Sequence, residues 1–269
     1  MLKNMKIGVR LAIGFGIIVC LLATISILSY TWLNTLNREI NEIVSDKFPK
    51  TVWANDIIDQ INVAARSTRN ALLIKSKEEA RAELDRIPGA SKIINDRFEK
   101  LEKTIVSTEG KKIFETVKEK RKVYAADIGK LTELINAERR DEATVLLLGS
   151  LRKAQNDYLE AITKLIDYQT ELMSQTGKEA DDLSNSAQRL LLILSASAIL
   201  LTLAFTFWLI RSITVPTNEL VGAASKMAEG NFDFQLTIDS RDEIGALAKA
   251  VASVQHAVQA MTADAVMLS

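Results

Sequence analysis

Three observations predict an all-α chain with two membrane-spanning helices, an up-down-up-down four-helix bundle between them, and a parallel two-helix coiled coil at the end. Two apolar stretches, Leu11 to Leu33 and Leu190 to Ile210, carry no acid or base and bracket a strongly charged middle. That middle repeats its apolar residues at alternating spacings of three and four, the period of a packed helix. Only 3 prolines and 11 glycines interrupt 269 residues.

Each apolar stretch, at about 1.5 Å per residue, is long enough as a helix to cross the roughly 30 Å hydrocarbon core of a bilayer. Lys3, Lys6 and Arg10 precede the first stretch without an acidic residue, which places the N-terminus in the cytoplasm. The first stretch exceeds a signal-peptide core and ends in Ser29-Tyr30-Thr31-Trp32-Leu33, without a small-residue cleavage site, so it is expected to be retained. The expected layout is residues 1–10 cytoplasmic, 11–33 spanning, 34–189 periplasmic, 190–210 spanning and 211–269 cytoplasmic.

Composition removes several classes. With 34 basic and 34 acidic residues, the chain has no positive surplus to meet nucleic-acid phosphates. Its one cysteine, Cys20, lies in the first apolar stretch, so no disulfide within the chain can brace the outer segment.

Four stripes form the predicted bundle. The first runs through Ile57/Ile58, Ile61, Ala65, Thr68 and Leu72, with a kink expected at Pro49. The second takes Ala80, Leu84, Ile87, Ser91, Ile94, Phe98, Leu101 and Ile105. Ser76 and Glu79 form its capping box, and Pro88-Gly89 should bend it. Phe114, Val117, Arg121, Tyr124, Ile128, Leu131 and Ile135 make the third. Leu147, Leu151, Ala154, Tyr158, Ala161, Leu165, Tyr168 and Leu172 make the fourth, with Asp141 as N-cap. Short connections near Lys75, Ser107 and Arg140 make neighbouring helices antiparallel.

Residues that interrupt these stripes are the candidates for binding. The register that buries Val117 and Tyr124 also points Arg121 inward, where a guanidinium needs a partner. Tyr124, Tyr158 and Ser91 fall near its level, and the four together would suit a small carboxylate, which guanidinium pairs bidentately. The plain alternative pairs Arg121 with Asp59, Asp96 or Asp157, or lets it snorkel outward, and leaves the tyrosines as core packing. A second candidate lies on the flank of the first helix. Arg66 and Arg69, with Asn62 and Leu73, could bind an anion across a contact between two copies, or could form a solvated face.

The tail shows a stripe at Ile213, Thr217, Leu220, Ala224 and Met227, closed by Gly230. Phe232, Phe234, Leu236 and Ile238 then alternate. A second stripe at Ile244, Leu247, Val251, Val254, Val258 and Met261 follows a Ser240/Glu243 capping box. Two such short helices have too little core to stand alone, so dimerisation is expected. His256 lies off this stripe and is followed by Ala257 and Val258, unlike a phosphoacceptor. No phosphate loop, zinc-spaced cysteines or nucleophile elbow is present in the sequence, and no enzyme and no cofactor is expected.

Two resemblances extend this reading. Pro216, the Glu219-Leu220 pair and Asp242-Glu243-Ile244-Gly245 resemble a HAMP relay domain, covering residues 211–263. Phe48-Pro49, Ile57-Ile58, Ala64-Ala65-Arg66-Ser67-Thr68-Arg69-Asn70 and Arg139-Arg140-Asp141-Glu142-Ala143 resemble the four-helix-bundle sensor domain of bacterial methyl-accepting chemotaxis proteins. The resemblance implies a receptor in the inner membrane, a homodimer or higher homo-oligomer, that binds a small molecule outside and relays a helix displacement through HAMP to chemotaxis signalling proteins. In that family some members bind ligand through arginines of the first helix, here Arg66 and Arg69, and others within one bundle, here Arg121, Tyr124 and Tyr158. Residues 264–269 would begin an output module that the chain lacks. A sensor histidine kinase or diguanylate cyclase could use the same input, and a periplasmic binding protein docking at the tip around Lys75 to Lys77 is a third reading.

Overall fold

The computed structural model describes residues 5–238 and 240–267, with side chains to residue 261. Among these residues every regular element is helical. In chain order they are α1 (Ile7–Glu42), α2 (Phe48–Leu73), α3 (Lys77–Leu84), α4 (Arg86–Thr104), α5 (Thr108–Asn136), α6 (Arg140–Leu146), α7 (Arg152–Leu209), α8 (Val215–Ala228) and α9 (Glu243–Met267). Widened π-turns at Ile43–Lys47, Leu147–Leu151 and Ile210–Thr214 join α1 to α2, α6 to α7 and α7 to α8. The chain divides into two compact units, residues 34–184 and a second built from the described residues up to Leu33 and from Asn185 onward.

All three prolines follow a break, for one physical reason. A proline ring clashes with the carbonyl four residues back and supplies no N–H. Ahead of Pro49 the helix opens into the Ile43–Lys47 π-turn, where the Phe48 N–H reaches the Ile43 carbonyl. Ahead of Pro216 the same device recurs, with the Val215 N–H reaching the Ile210 carbonyl. Pro88 lies in the first turn of α4, after a turn at Asp85. The bend expected at Pro88-Gly89 is therefore a break three residues earlier.

In the first unit, Ile57, Ile61, Leu101, Val117, Leu131, Tyr158, Ile162 and Leu165 are almost wholly removed from solvent. Each large aliphatic side chain buried this way contributes about 1.5–3 kcal/mol, which is what holds the bundle closed. Ser76 caps α3 through the Glu79 N–H at 3.4 Å, as its sequence suggested. Ser107 caps α5 through the Gly110 N–H at 3.2 Å.

Several register assignments need correction. Ser91 is exposed and its neighbour Ala90 takes the core position of that turn, while Leu84, Ile87, Ile94, Phe98 and Leu101 keep the predicted stripe. The apolar methyl packs where a hydroxyl would lack water. Arg121 is half-buried at the edge rather than pointed into the core. On α7 the buried positions pass from Leu165 to Gln169 and Thr176, so Tyr168 and Leu172 are only half-buried. The N-cap of α6 is Arg139, and Asp141 sits inside its first turn. A tight reversal causes this shift. Glu138 takes a left-handed φ of 60°, the Arg139 N–H reaches the Leu134 carbonyl at 2.9 Å, and α6 starts at once.

In the second unit, α1 and α7 each carry an apolar stretch long enough to cross a membrane. They approach closely where Gly14 meets Phe205, since a Cβ at Gly14 would collide with the Phe205 ring. α8 ends in a Schellman turn. Gly230 adopts φ 80°, the Asn231 N–H reaches the Lys226 carbonyl at 2.9 Å, and the Gly230 N–H reaches the Met227 carbonyl at 3.0 Å. The connector then runs back along α9, held by Gln255 and Gln259, whose side-chain amides donate to the Phe232 carbonyl at 2.7 and 2.6 Å. That return brings Leu236 and Ile238 to the start of α9, so α8 and α9 lie parallel, with Leu220 packed on Ile244 and Ala248. Asp242, not Ser240, caps α9 by accepting the Gly245 N–H at 3.0 Å. Ala223 rather than Ala224 is buried on α8.

Candidate functional site

The candidates from the sequence separate into two places in the bundle. α5 and α7 bring Tyr124 and Tyr158 together in the core with ring centroids 5.7 Å apart. The Tyr124 hydroxyl donates to the Ile61 carbonyl of α2 at 3.4 Å. The Tyr158 hydroxyl is buried and has no hydrogen-bond partner among the described residues. Burial raises the pKa of both phenols well above the ordinary tyrosine value, so both stay neutral. For Tyr158 the nearby Arg121 charge pulls the other way and does not prevail.

Arg121 turns away from this pair toward α4. Its guanidinium carbon lies 4.3 Å from the centroid of the Phe98 ring, and it donates to the Asn95 side-chain carbonyl. The ring face and the amide together satisfy a cation that the core would not solvate. Asp157 is taken instead by Lys120 and Lys153, each at 3.2 Å, whose hydrogen bonds lower its pKa. Asp96 is taken by Lys100 and Arg97. Ser91 is not part of this cluster.

Arg66 and Arg69 lie elsewhere, on the exposed face of α2. They line a groove of about 460 Å³ with Asp59, Asn62, Val63, Ala65 and, from α7, Gln155. Neither arginine is in an ion pair among the described residues. This distinguishes them from Arg97, Arg121 and Arg139, each engaged by an acid, an amide or a ring. Two guanidiniums in no ion pair lie one turn apart and share the groove with the Asn62 and Gln155 amides and one carboxylate, Asp59. This leaves a net positive groove equipped to take a carboxylate with charge-assisted hydrogen bonds. Leu73, expected on this flank, is exposed but is not part of the groove.

Apolar periodicity gave no sign of a polar layer at the α1–α2 junction. Lys47 is buried and donates to Glu42 at 2.8 Å and to the Thr176 hydroxyl, while Lys50 is buried against Asp46 at 2.7 Å. Gln169 on α7 is buried, and its side-chain oxygen has no hydrogen-bond partner among the described residues. The readable signal was an acid four or five residues ahead of each lysine, a spacing that equally suits a solvated helix face. His256, set aside as a surface residue, is exposed.

Comparison with known proteins agrees with this architecture. Residues 4–184 match the model of a four-helix-bundle sensory module for signal transduction, and residues 208–260 match the HAMP domain. A sensory transducer protein of Acetivibrio thermocellus is 27% identical over 129 residues, 47% of this chain and 23% of that protein. The sensory transducer protein YvaQ of Bacillus subtilis is 26% identical over 159 residues, 59% of this chain and 28% of its own length. The methyl-accepting chemotaxis protein McpA of Bacillus subtilis is 35% identical over 89 residues, 29% of this chain and 14% of its own. The sensor protein SrrB of Staphylococcus aureus is 26% identical over 165 residues, 61% of this chain and 27% of its own. The chain spans less than a third of each of these relatives. With the sensory-module match covering most of its length and HAMP following, the chain belongs to the family of four-helix-bundle sensory transducers.

Proposed function

We propose that this chain is the sensory half of a transmembrane chemoreceptor. Its bundle faces outward, a small organic acid binds the groove between Arg66 and Arg69, and a helix displacement passes through HAMP to chemotaxis signalling proteins. The observation that carries the ligand class is the pair of guanidiniums in one groove without an ion pair. The likeness to a methyl-accepting chemotaxis protein supports the output. The charges flanking the apolar stretches support an extracytoplasmic bundle and a cytoplasmic tail.

HAMP has one face without a partner in a single chain, which supports a homodimer. Leu247, Val254 and Met261 are exposed at heptad spacing on α9, where a second copy would pack. The likeness to a protein named as a sensor also supports the alternative, input to a sensor enzyme, since the same relay would serve it.

The binding reading is tested by melting the chain in detergent micelles against a panel of small carboxylic acids and amino acids. Ligand at a hundred times its dissociation constant should add about 2.7 kcal/mol of stability. The shift should vanish in Arg66→Ala and Arg69→Ala and survive in Arg121→Ala. A specific observation favours a second site, within the bundle, because the Tyr158 hydroxyl is buried and unpartnered. Loss of the shift in Arg121→Ala and Tyr158→Phe, with both groove variants intact, would select that site.

A further inference from the structure

A groove of about 550 Å³ opens where α7 passes into α8, within the second unit. Pro216 has no N–H to offer the carbonyl four residues back, and the helix widens ahead of it into the Ile210–Thr214 π-turn. The connector returns beside this turn and supplies Thr237 and Ile238 as the second wall. On the first wall Trp208, Arg211 and Glu219 follow one another down the chain.

The two ends of the groove differ in character. At one end Phe207 and Trp208 belong to the apolar stretch that closes at Ile210. Phe207 is exposed, and the Trp208 ring is set against Phe205 with centroids 5.8 Å apart. A tryptophan at the end of a span sits at headgroup level, its ring across the boundary between hydrocarbon and water. Arg211 is the first charge after that stretch, and Glu219 lies eight residues further on, about 12 Å along a helix. Neither is in an ion pair among the described residues, so the groove holds a cation and an anion that do not neutralise each other. Between them the Ser212 hydroxyl donates to the Leu209 carbonyl at 3.4 Å, so toward the groove it can only accept.

We infer that this groove seats one phosphatidylethanolamine headgroup of the cytoplasmic leaflet, with its phosphate on Arg211 and its ammonium on Glu219. This rests on the reading of residues 190–210 as a membrane span with a cytoplasmic tail. A guanidinium takes a phosphate through two parallel hydrogen bonds. A primary ammonium brings three donors, which suit a carboxylate and a hydroxyl that can only accept. A choline headgroup carries the same charge without a donor, and a glycerol headgroup has no cation, so neither matches the Glu219 end. The acyl chains leave past Phe207 and Trp208 into the hydrocarbon, an apolar contact that a water-soluble phosphate ester cannot make. The volume lies within the range of small-ligand sites, about 300–1,000 Å³. A seated headgroup joins the α7–α8 turn to the connector, so the lipid becomes part of the HAMP surface.

The test uses the full chain in lipid nanodiscs and reads quenching of Trp208 fluorescence by lipids brominated on their acyl chains. Of the 3 tryptophans, Trp32→Phe and Trp53→Phe leave Trp208 alone. At equal mole fraction, phosphatidylethanolamine should compete for the site about fivefold better than phosphatidylcholine or phosphatidylglycerol. Glu219→Gln should bring that ratio below about twofold, and Arg211→Gln should weaken all three lipids alike. The comparison of headgroups needs neither variant, so it stands even where one of them unfolds. Equal quenching by the three lipids overturns the proposal, as does a preference that survives Glu219→Gln or binding unchanged by Arg211→Gln. A Trp208 that no lipid reaches, the result of a second copy covering the groove, overturns it too. Millimolar O-phosphoethanolamine in the water should leave the preference intact, and displacement by it overturns the lipid as the occupant. A chain keeping only Trp32, at the end of the first apolar stretch, separates failure of the membrane reading. Quenching of Trp32 by all three lipids shows that stretch inserted, and its absence overturns the span and the site with it.

Discussion

The bundle and the unit that carries HAMP use opposite means to hold helices together. Within residues 34–184 the helices meet through a continuous apolar core from Ala54 to Leu165, and polar groups stay at its edges or, like Tyr158, are enclosed at a cost. In the second unit the buried apolar cluster among the described residues is Leu220, Ile244 and Ala248 with a few half-buried neighbours, beside a buried ion pair between Arg10 and Asp242. Apolar packing is non-directional and tolerates gradual change, whereas a buried pair is either made or broken. The difference teaches where each kind of change belongs. Graded change suits the first unit, and all-or-none change suits the second.

The largest break in this comparison is Arg10→Ala. Leaving Asp242 buried and unpaired should cost about 3–5 kcal/mol in the second unit and leave the bundle unaffected. Leu131→Ala should do the reverse, costing the bundle about 2–5 kcal/mol through the cavity it leaves. Hydrogen exchange resolved to each unit checks both, and a shared loss would show that the units do not respond separately.

A smaller separation should come with pH. Burial pushes the Asp242 carboxyl up, but hydrogen bonds from Ser240 and the Gly245 N–H, with the Arg10 charge, together hold it below its ordinary value. Its contribution is present above the unfolded carboxylate value of about 3.9 and is lost as pH falls through the lower folded value. Tyr124 and Tyr158 are raised by burial, so their contribution is intact below about 10 and is lost as pH rises further. Asp96, Glu138 and Asp157 of the bundle are lowered as well, but their side chains reach solvent, which screens their pairs. Acid should therefore loosen the HAMP corner more than the bundle, and alkali the bundle, in unit-resolved exchange from pH 3 to 11.

The smallest effect sharpens the tip of the bundle. Glu138 holds a left-handed φ of 60° and makes an exposed ion pair with Lys77 at 2.6 Å. Relief of the backbone strain outweighs that pair, so Glu138→Gly should raise the melting free energy of the bundle by about 1 kcal/mol. A lower melting temperature would show that the ion pair contributes more than the strain.

Much of the fold was legible because two simple periods carry it. The charge-free stretches and the three-four spacing predicted the helices, and the Asp242-Glu243-Ile244-Gly245 string located the start of α9. Prolines were readable as breaks but not as to where the break falls, since each distortion lies ahead of the ring that causes it. Ser91 failed for another reason, since Ala90 beside it fills the same turn of the core while the rest of the stripe keeps its register. On α7 the heptad count failed past Leu165, where polar Gln169 and Thr176 take the buried positions and an apolar pattern cannot register them.

Of the candidate site, residue types and levels were readable and orientations were not. Tyr124 and Tyr158 share a level in the sequence and a contact in the structure. Arg121 occupies the expected position, yet its long side chain reaches Phe98 and Asn95, a choice made by its neighbours on α4. Arg66 and Arg69 were visible as a basic flank, but that they face a groove without an ion pair depends on where Asp59 and Gln155 fall.

By itself the sequence determined the helical class, the four stripes of the bundle, the apolar stretches long enough to span a bilayer and the relay at the end, because these follow from spacing and composition along the chain. The tertiary structure alone decided which charges pair, and above all that Arg10 meets Asp242 across 232 residues. An ion pair between distant helices leaves no periodic trace in a sequence, unlike one within a helix, and its partners are set only when packed helices bring them together.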